Sequence, residues 1–337
     1  MSDFEKKLKE YREEIDEVLI KKLEEIKSKN PIPNLYDAVL YHMKTGGKRL
    51  RPILALLVAE SYGVKEKFVL PLATAVEILH NFSLVHDDIE DGDKVRRGKP
   101  TVWAEYGLHH GVNVGDAMRE LGFKFLSEGR EMWGEKVYGD LTELAFDCLL
   151  KMTEGQAKDM NFRNMDRVKE EDYMDMVIKK TGYMIKLATV GAAIVANQPY
   201  DVLKAWEKYS FLIGPGFQIR DDVLDFTKGK GRGEIGCDVK EGKRSLLVVY
   251  IINNRKVPEE EKLNLIEILN KPRDRTTEED VLWVYNLFKR YQAFEYAIKK
   301  CKSFGEEAKE IIRKYVPSCE AKDLLLYLTD FLILREY

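Results

Sequence analysis

The run from Phe68 to Asp91, FVLPLATAVEILHNFSLVHDDIED, restricts the fold more than any other part of the chain. It keeps helical spacing, is apolar on almost every face, and then stops on three aspartates. A helix with no polar side has to be enclosed by other helices. ILALLVA, just before it, makes the same demand. Strand signals are scarce: VIKKTGYMIKLATVGAAIV is rich in β-branched residues, yet its spacing and length are helical. The expected fold class is therefore all-α, with residues 1–337 forming a single large helical domain.

The remaining elements follow in order. Phe4, Leu8, Tyr11, Ile15, Val18, Leu19, Leu23 and Ile26 form an i, i+3, i+4 stripe, which predicts an amphipathic helix over 3–29 that ends at Pro31 and Pro33. A short helix is predicted from about 35 to 44, then helices over 52–62 and 68–91. Later ones are predicted over 112–129, 136–160, 168–196, 200–227, 243–254, 259–270, 276–314 with a break, and 318–335. The charged, turn-rich stretch from 256 to 285 reads as an outer, mobile lobe, and 256–337 as outer helices.

The aspartates carry the chemistry. Asp87, Asp88 and Asp91 lie at i, i+1 and i+4, so the first and last share a helix face. Unpaired carboxylates within one turn repel each other unless a cation is shared, and ligands that are all oxygen suit magnesium carried with substrate phosphates. FQIRDDVLDF repeats the spacing with Asp221, Asp222 and Asp225. A single DDxxD on a helix is ordinarily a solvated acidic face. Two copies, each preceded by apolar helix and followed by basic residues, are hard to obtain by accident, and they could face one another. Arg96 and Arg97 follow the first copy, and arginine forks suit phosphate oxygens. In TGGKRLRP, Lys48, Arg49 and Arg51 gather beside glycines that let backbone come close, a credible diphosphate seat.

Composition excludes other classes. Net charge is -3, which gives no general attraction to nucleic acid, and 45% hydrophobic residues suffice for a large core. Cys148, Cys237, Cys301 and Cys319 are widely spaced without a CxxC pair or a secretory leader, and so read as reduced thiols of a cytoplasmic protein. No transmembrane segment is expected: LLLYLTDFLIL is the strongest apolar run and Asp330 interrupts it.

GGKRLRP, HNFSLVHDDIED with RRGKPT, KT at 180–181, and FQIRDDVLD followed by GCDVKEGK resemble, in order and spacing, the trans-prenyl diphosphate synthases of the short-chain type, the geranylgeranyl and farnesyl diphosphate synthases. The resemblance runs from about residue 35 to the C-terminus. It implies an isoprenoid-synthase helical bundle around a central cavity, a homodimer, and a reaction of isopentenyl diphosphate with allylic diphosphates (dimethylallyl, geranyl, farnesyl). It implies about three Mg2+ ions, with Mn2+ as a substitute, held by Asp87, Asp88 and Asp91 and by Asp221, Asp222 and Asp225. Lys48, Arg51, His80 and Arg97 would bind isopentenyl diphosphate, and Arg96 and Lys180 the allylic diphosphate. Thr181 and Gln218 would lie by the reacting carbons, Lys243 would add positive charge, and Gln156 and Asp159 would line the same cavity. Gly233 stands where the family has a lysine, with Lys230 or Arg232 as stand-ins, and Arg335 resembles a tail that closes over the site.

Phe82 precedes Asp87 by five residues, about 7.5 Å along a helix. In the family an aromatic there helps close the tunnel floor, and Phe82 with small Ser83 resembles the geranylgeranyl (C20) type. Farnesyl or longer products are the alternative. A terpene cyclase would need neither GGKRLRP nor a second DDxxD, and a non-catalytic regulatory subunit would be expected to have lost acidic residues. His86, His109 and His110 are given no role.

Overall fold

A computed structural model describes residues 3–227 and 235–334. The chain is helical almost throughout, and its internal contacts divide it into two compact units. Unit 1 comprises Met1–Asp147, Lys186–Glu207 and Ile312–Tyr327; unit 2 comprises Cys148–Ile185, Lys208–Ile311 and Leu328–Tyr337. The limits fall inside the long helices α7 (Arg130–Phe162), α9 (Tyr183–Val195), α10 (Tyr200–Leu224), α15 (Ala293–Tyr315) and α16 (Glu320–Leu334).

Unit 1 holds α1 (Asp3–Lys29), α2 (Tyr36–Lys44), α3 (Leu50–Ser61), α4 (Leu70–Glu90), α5 (Val102–Tyr106) and α6 (Leu108–Ser127). As its composition requires, α4 is enclosed: from Pro71 to Leu79 every side chain is buried. Its closest neighbour is α6, and glycines make that approach possible. A Cβ on Gly122 would lie 2.4 Å from Leu79 Cγ, one on Gly115 would lie 2.1 Å from His86 Nε2, and one on Gly111 would lie 3.0 Å from Ile89 Cδ1. The pairs 111 with 89, 115 with 86 and 122 with 79 run in opposite directions, so the two helices are antiparallel.

Between α4 and α5 the chain forms a short hairpin, β1 (Val95–Arg96) with β2 (Lys99–Pro100). Its two-residue turn, Arg97 (φ 54) and Gly98 (φ 74), has the positive φ at both positions that a tight right-twisted hairpin demands. This hairpin was not expected from the sequence.

Unit 2 holds α8 (Glu170–Val177), a π-helical turn (Ile178–Gly182), α11 (Cys237–Lys240), α12 (Leu246–Asn253), α13 (Glu259–Leu269) and α14 (Glu278–Arg290). The expected single helix over 168–196 is thus interrupted by one widened turn. The 256–285 stretch folds as α13 and α14, whose Leu265, Ile268, Val284 and Phe288 are buried. Thr277 and Asp280 close a capping box at the start of α14. Phe226 meets Phe288 and Phe294 edge-on, with centroids 5.4 and 5.7 Å apart, in an aromatic cluster. The cysteines are free, and no helix among the described residues is long and apolar enough to cross a membrane.

Candidate active site

The basic loop before α3 separates three cations that look alike in sequence. Gly46 (φ 89), Gly47 (φ 150) and Arg49 (φ 50) take conformations that bend the backbone sharply. A Cβ on Gly47 would come within 3.1 Å of Arg97 Nη2 and 3.2 Å of Arg49 Nη1, so a side chain there would crowd both guanidinium groups. Arg49 is buried and bonded through all three nitrogens: Nε donates to Asp16 Oδ1 at 2.7 Å, Nη1 to Glu77 Oε1 at 2.8 Å and Nη2 to the Met43 carbonyl at 2.8 Å. Lys48 is exposed.

Arg51 differs. Its Nη1 lies 3.0 Å from His80 Nε2, and its Nε is enclosed with no hydrogen-bond partner. Desolvation brings its pKa down to about 10, and the acid that acts on it, Glu77, is already committed to Arg49. Desolvation, then the Arg51 charge, holds His80 well below the usual histidine range, so the imidazole is neutral and accepts from Arg51. Arg97 reaches back to donate to the Gly46 carbonyl and to Thr45 Oγ1. A guanidinium cannot shed its proton, so a desolvated and unmatched one favours an anion beside it.

At the end of α4 the sign reverses. Carboxylates at a helix C-terminus face the negative end of the dipole, at a cost of about 0.3–1 kcal/mol each. Asp87 is half-buried, Asp88 is buried, and Asp91 caps the helix. Asp88 Oδ1 accepts from Arg96 Nε and Nη2, both at 2.7 Å, while Oδ2 is buried with no hydrogen-bond partner. Burial pushes this carboxyl up to about 6 against the opposing pull of Arg96. Arg96, expected on a diphosphate, thus lies on Asp88. Trp103 Nε1 bridges the carbonyls of Asp88 (3.0 Å) and Asp93 (2.8 Å) and fixes the loop between them. With donors that are all carboxylate oxygens, at a helix's negative end and with one oxygen orphaned, the set fits a hard dication.

The unit 2 residues surround a cavity of about 30 Å³ lined by Asp159, Lys180, Thr181, Gln218, Asp222 and Lys243 among others. Lys180 Nζ donates to Asp159 Oδ2 at 2.7 Å, and Thr181 Oγ1 lies 3.5 Å from Gln218 Oε1. Both come from the π turn, which rests on glycines. A Cβ on Gly155 would sit 2.3 Å from Lys180 N, and one on Gly214 would sit 2.5 Å from Gly182 Cα. Widened turns of this kind often mark functional sites, because they displace side chains from the regular helical path.

Asp222 accepts from Tyr173 OH at 2.9 Å, Gln218 Nε2 at 3.1 Å and Leu246 N at 3.3 Å. Asp225 accepts from Asp238 N at 3.1 Å. Asp221 is the half-exposed member of the three. Lys243 pairs with Glu241 at 2.6 Å. Phe82 is buried with its ring edge-on to His86 at 5.9 Å, and the Ser83 hydroxyl donates to the His80 carbonyl at 2.7 Å. Lys230, Arg232, Gly233 and Arg335 lie outside the described residues. The roles of Arg49 and Tyr173 carry no sequence signal, since the acids they meet are 28 to 49 positions away, and that of Trp103 depends on a loop closed over 10 to 15 residues.

The all-α fold, with aspartates near the ends of α4 and α10, is that of the isoprenoid synthases, and comparison with known proteins narrows it. Residues 32–288 match the profile of the family described as Polyprenyl synthetase. The chain belongs to that family and is a prenyltransferase. It is 33% identical to a geranylgeranyl pyrophosphate synthase of Geoglobus acetivorans, over 94% of this chain and 95% of the relative. It is 37% identical to a geranylgeranyl diphosphate synthase of Methanosarcina mazei, over 90% of each. A geranylfarnesyl diphosphate synthase of Aeropyrum pernix is 34% identical, over 89% and 94%. The crystal structure of a geranylgeranyl pyrophosphate synthetase from Pyrococcus horikoshii superposes with a TM-score of 0.89 at 29% identity, covering 99% of this chain and 100% of that one.

Proposed function

We propose that the protein condenses isopentenyl diphosphate with dimethylallyl, geranyl or farnesyl diphosphate to make all-trans geranylgeranyl diphosphate. The observation that carries this reading is the contrast between two neighbouring arginines: Arg49 has two carboxylates, and Arg51 has a neutral histidine and an enclosed, unpartnered Nε. Such a group awaits an anion, and Lys48, Arg97 and His80 complete a seat for the diphosphate of isopentenyl diphosphate.

In this reading Lys180 and Lys243 carry positive charge to the allylic diphosphate, and so does Arg96 once it exchanges Asp88 for substrate. The allylic C–O bond breaks, the electron pair leaves with the diphosphate, and the double bond of isopentenyl diphosphate attacks the allylic cation. A proton is then lost from the adjacent carbon to the departed diphosphate, so no side-chain base is needed. Thr181 and Gln218 present oxygen dipoles to the cation. About three magnesium ions, which manganese would replace, would be held by Asp87, Asp88 and Asp91 and by Asp221, Asp222 and Asp225, and would neutralise charge developing on the leaving group. Phe82, with Ser83 beside it, closes off the growing chain at C20. The active form is a cytoplasmic homodimer; exposed Leu108, Val112 and Met132 and the stacked rings of Phe123 and Phe146 support such an association.

The test is incubation of the pure protein with magnesium, labelled isopentenyl diphosphate and each primer in turn, followed by chain-length analysis. Linear C20 diphosphate is expected. Cyclic hydrocarbon, or no product from any primer, would defeat the proposal, and a C25 product would correct the length alone. Arg51→Ala should raise the KM for isopentenyl diphosphate far more than that for the primer. Sedimentation of the pure protein as a monomer would remove the dimer.

A further inference from the structure

We infer that Arg49, held by Asp16 and Glu77, is the positioning residue for the isopentenyl diphosphate seat, and that the N-terminal helix α1 is thereby part of the substrate-binding apparatus. This rests on the proposed function, in which Lys48 and Arg51 on either side of Arg49 receive that substrate.

Three observations converge. First, the Arg49 side chain is 1% exposed, and each of its three nitrogens is bonded to a different element: Asp16 of α1, the Met43 carbonyl of α2 and Glu77 of α4. Its charge is already matched by two carboxylates and its side chain is enclosed, so it is not placed to receive a substrate as Arg51 is. Second, its backbone is left-handed (φ 50, ψ 34), a conformation that costs a residue with a Cβ free energy and persists only where the surroundings impose it. The fork of bonds made by the guanidinium supplies that imposition. Lys48 lies just before this residue and Arg51 in the first turn of α3 just after it.

Third, the acids that hold Arg49 are themselves held. Asn81 Nδ2 donates to Glu77 Oε1 at 2.7 Å and to the Glu77 carbonyl at 2.8 Å, and Asn81 Oδ1 pairs with His42 Nε2 at 3.0 Å. Glu77 and Asn81 flank His80 on α4, so one network fixes the bend that carries Arg51 and the helix segment that carries its partner. Burial alone would depress the arginine, and Glu77 followed by Asp16 more than offsets that, leaving its pKa raised. Arg51, two residues away, is shifted the other way. Asp16 is the accessible end of the network, with a side chain 31% exposed.

The experiment uses Asp16→Asn, which sits at the solvent-facing end and should fold, with Arg49→Lys beside it. Lysine keeps the charge, but its donors diverge from a single nitrogen and cannot reproduce the planar fork that reaches Asp16, Glu77 and Met43 at once. Initial rates are measured with isopentenyl diphosphate varied at saturating primer, and with primer varied at saturating isopentenyl diphosphate. Each variant is expected to raise the KM for isopentenyl diphosphate about tenfold, with kcat and the primer KM within about twofold, because only the seat is loosened. The double variant should be no worse than Arg49→Lys alone, since the two residues act through one contact. Unchanged KM for isopentenyl diphosphate in folded Asp16→Asn, or an equal rise in both KM values, would overturn the inference. Restoration of wild-type kinetics by Arg49→Gly, which relieves the backbone and discards the ion pairs, would do the same. Wild-type protein that neither binds nor consumes isopentenyl diphosphate would instead defeat the functional proposal, before any variant is compared.

Discussion

Replacing Gly155 by alanine tests whether the π turn positions the groups proposed to meet the allylic substrate. The new Cβ would lie 2.3 Å from Lys180 N, 2.8 Å from Lys180 Cα and 2.9 Å from Lys179 C, all of them backbone atoms. The first distance is about an ångström short of the ~3.5 Å at which non-bonded atoms rest. Rotating a side chain cannot relieve the clash, so the turn itself must move. It has little slack at its other end, where Gly214 is similarly close to Gly182. Over-packing of this kind costs about 1–3 kcal/mol, and alanine's helix preference over glycine returns up to about 1 kcal/mol. The expected net loss of stability is therefore modest, on the order of 1 kcal/mol. The expected loss of activity is not. A displacement of about 1 Å breaks the 2.7 Å bond from Lys180 to Asp159, and misplacement on that scale costs about 10²-fold in rate. Gly139, also helical, has nothing within 4 Å of its would-be Cβ, so Gly139→Ala should raise stability by about 0.5–1 kcal/mol and leave turnover alone. Urea melts and kcat for chain elongation on all three proteins decide the matter. Wild-type kcat in Gly155→Ala, measured on folded protein, would show that the π turn does not set the geometry of Lys180 and Thr181.

Asp87→Ala and Asp221→Ala should each lower turnover by about two to three orders of magnitude. Asp87→Ala should melt no lower than wild type, because it removes charge from the negative end of α4; a collapsed melt with intact activity per folded molecule would remove the metal assignment. Phe82→Ala should lengthen the product beyond C20, read by chromatography of the dephosphorylated alcohols, and an unchanged chain length would remove Phe82 from the floor. His42 is buried, and desolvation holds it at about 3 against 6.5 in the unfolded chain. The folded state therefore binds fewer protons, and stability falls as pH drops below about 6.5, by about 1.4 kcal/mol per unit until about pH 3. At pH 5 this loss is about 2 kcal/mol, and His80, shifted in the same direction, adds to it. Equal urea midpoints at pH 7 and pH 5 would contradict this.

The all-α fold was legible because the apolar periodicity of α1, α4 and α10 has no alternative reading. It was less legible where two backbones satisfy one pattern. The run at 177–195 suits a regular helix, and only the seats at Gly155 and Gly214, distant in sequence, make room for the widened turn at 178–182. The hairpin at 95–100 escaped because its strands are two residues long and its turn places an arginine, not asparagine or aspartate, at positive φ.

Chemistry within a motif was hidden for a related reason: the residues that distinguish like charges come from elsewhere in the chain. Arg49 and Arg51 are near-equivalent in GGKRLRP, and the acids that neutralise one of them lie 33 and 28 positions away. The two DDxxD segments have the same spacing, yet the middle aspartate of the first accepts from Arg96, while that of the second accepts from Tyr173, Gln218 and the Leu246 amide, residues that no motif marks. A carboxylate bonded to an arginine must exchange that partner before its oxygen can serve a metal ion. Substitution of the two middle residues should therefore not be equivalent. Asp88→Asn weakens the hold of Asp88 on Arg96 and should alter the KM of the primer, which we propose Arg96 then meets, whereas Asp222→Asn, which touches no arginine proposed to meet the primer, should act on kcat with little change in that KM. If both variants moved the same kinetic constant by the same factor, the different hydrogen bonding of the two segments would have no functional consequence.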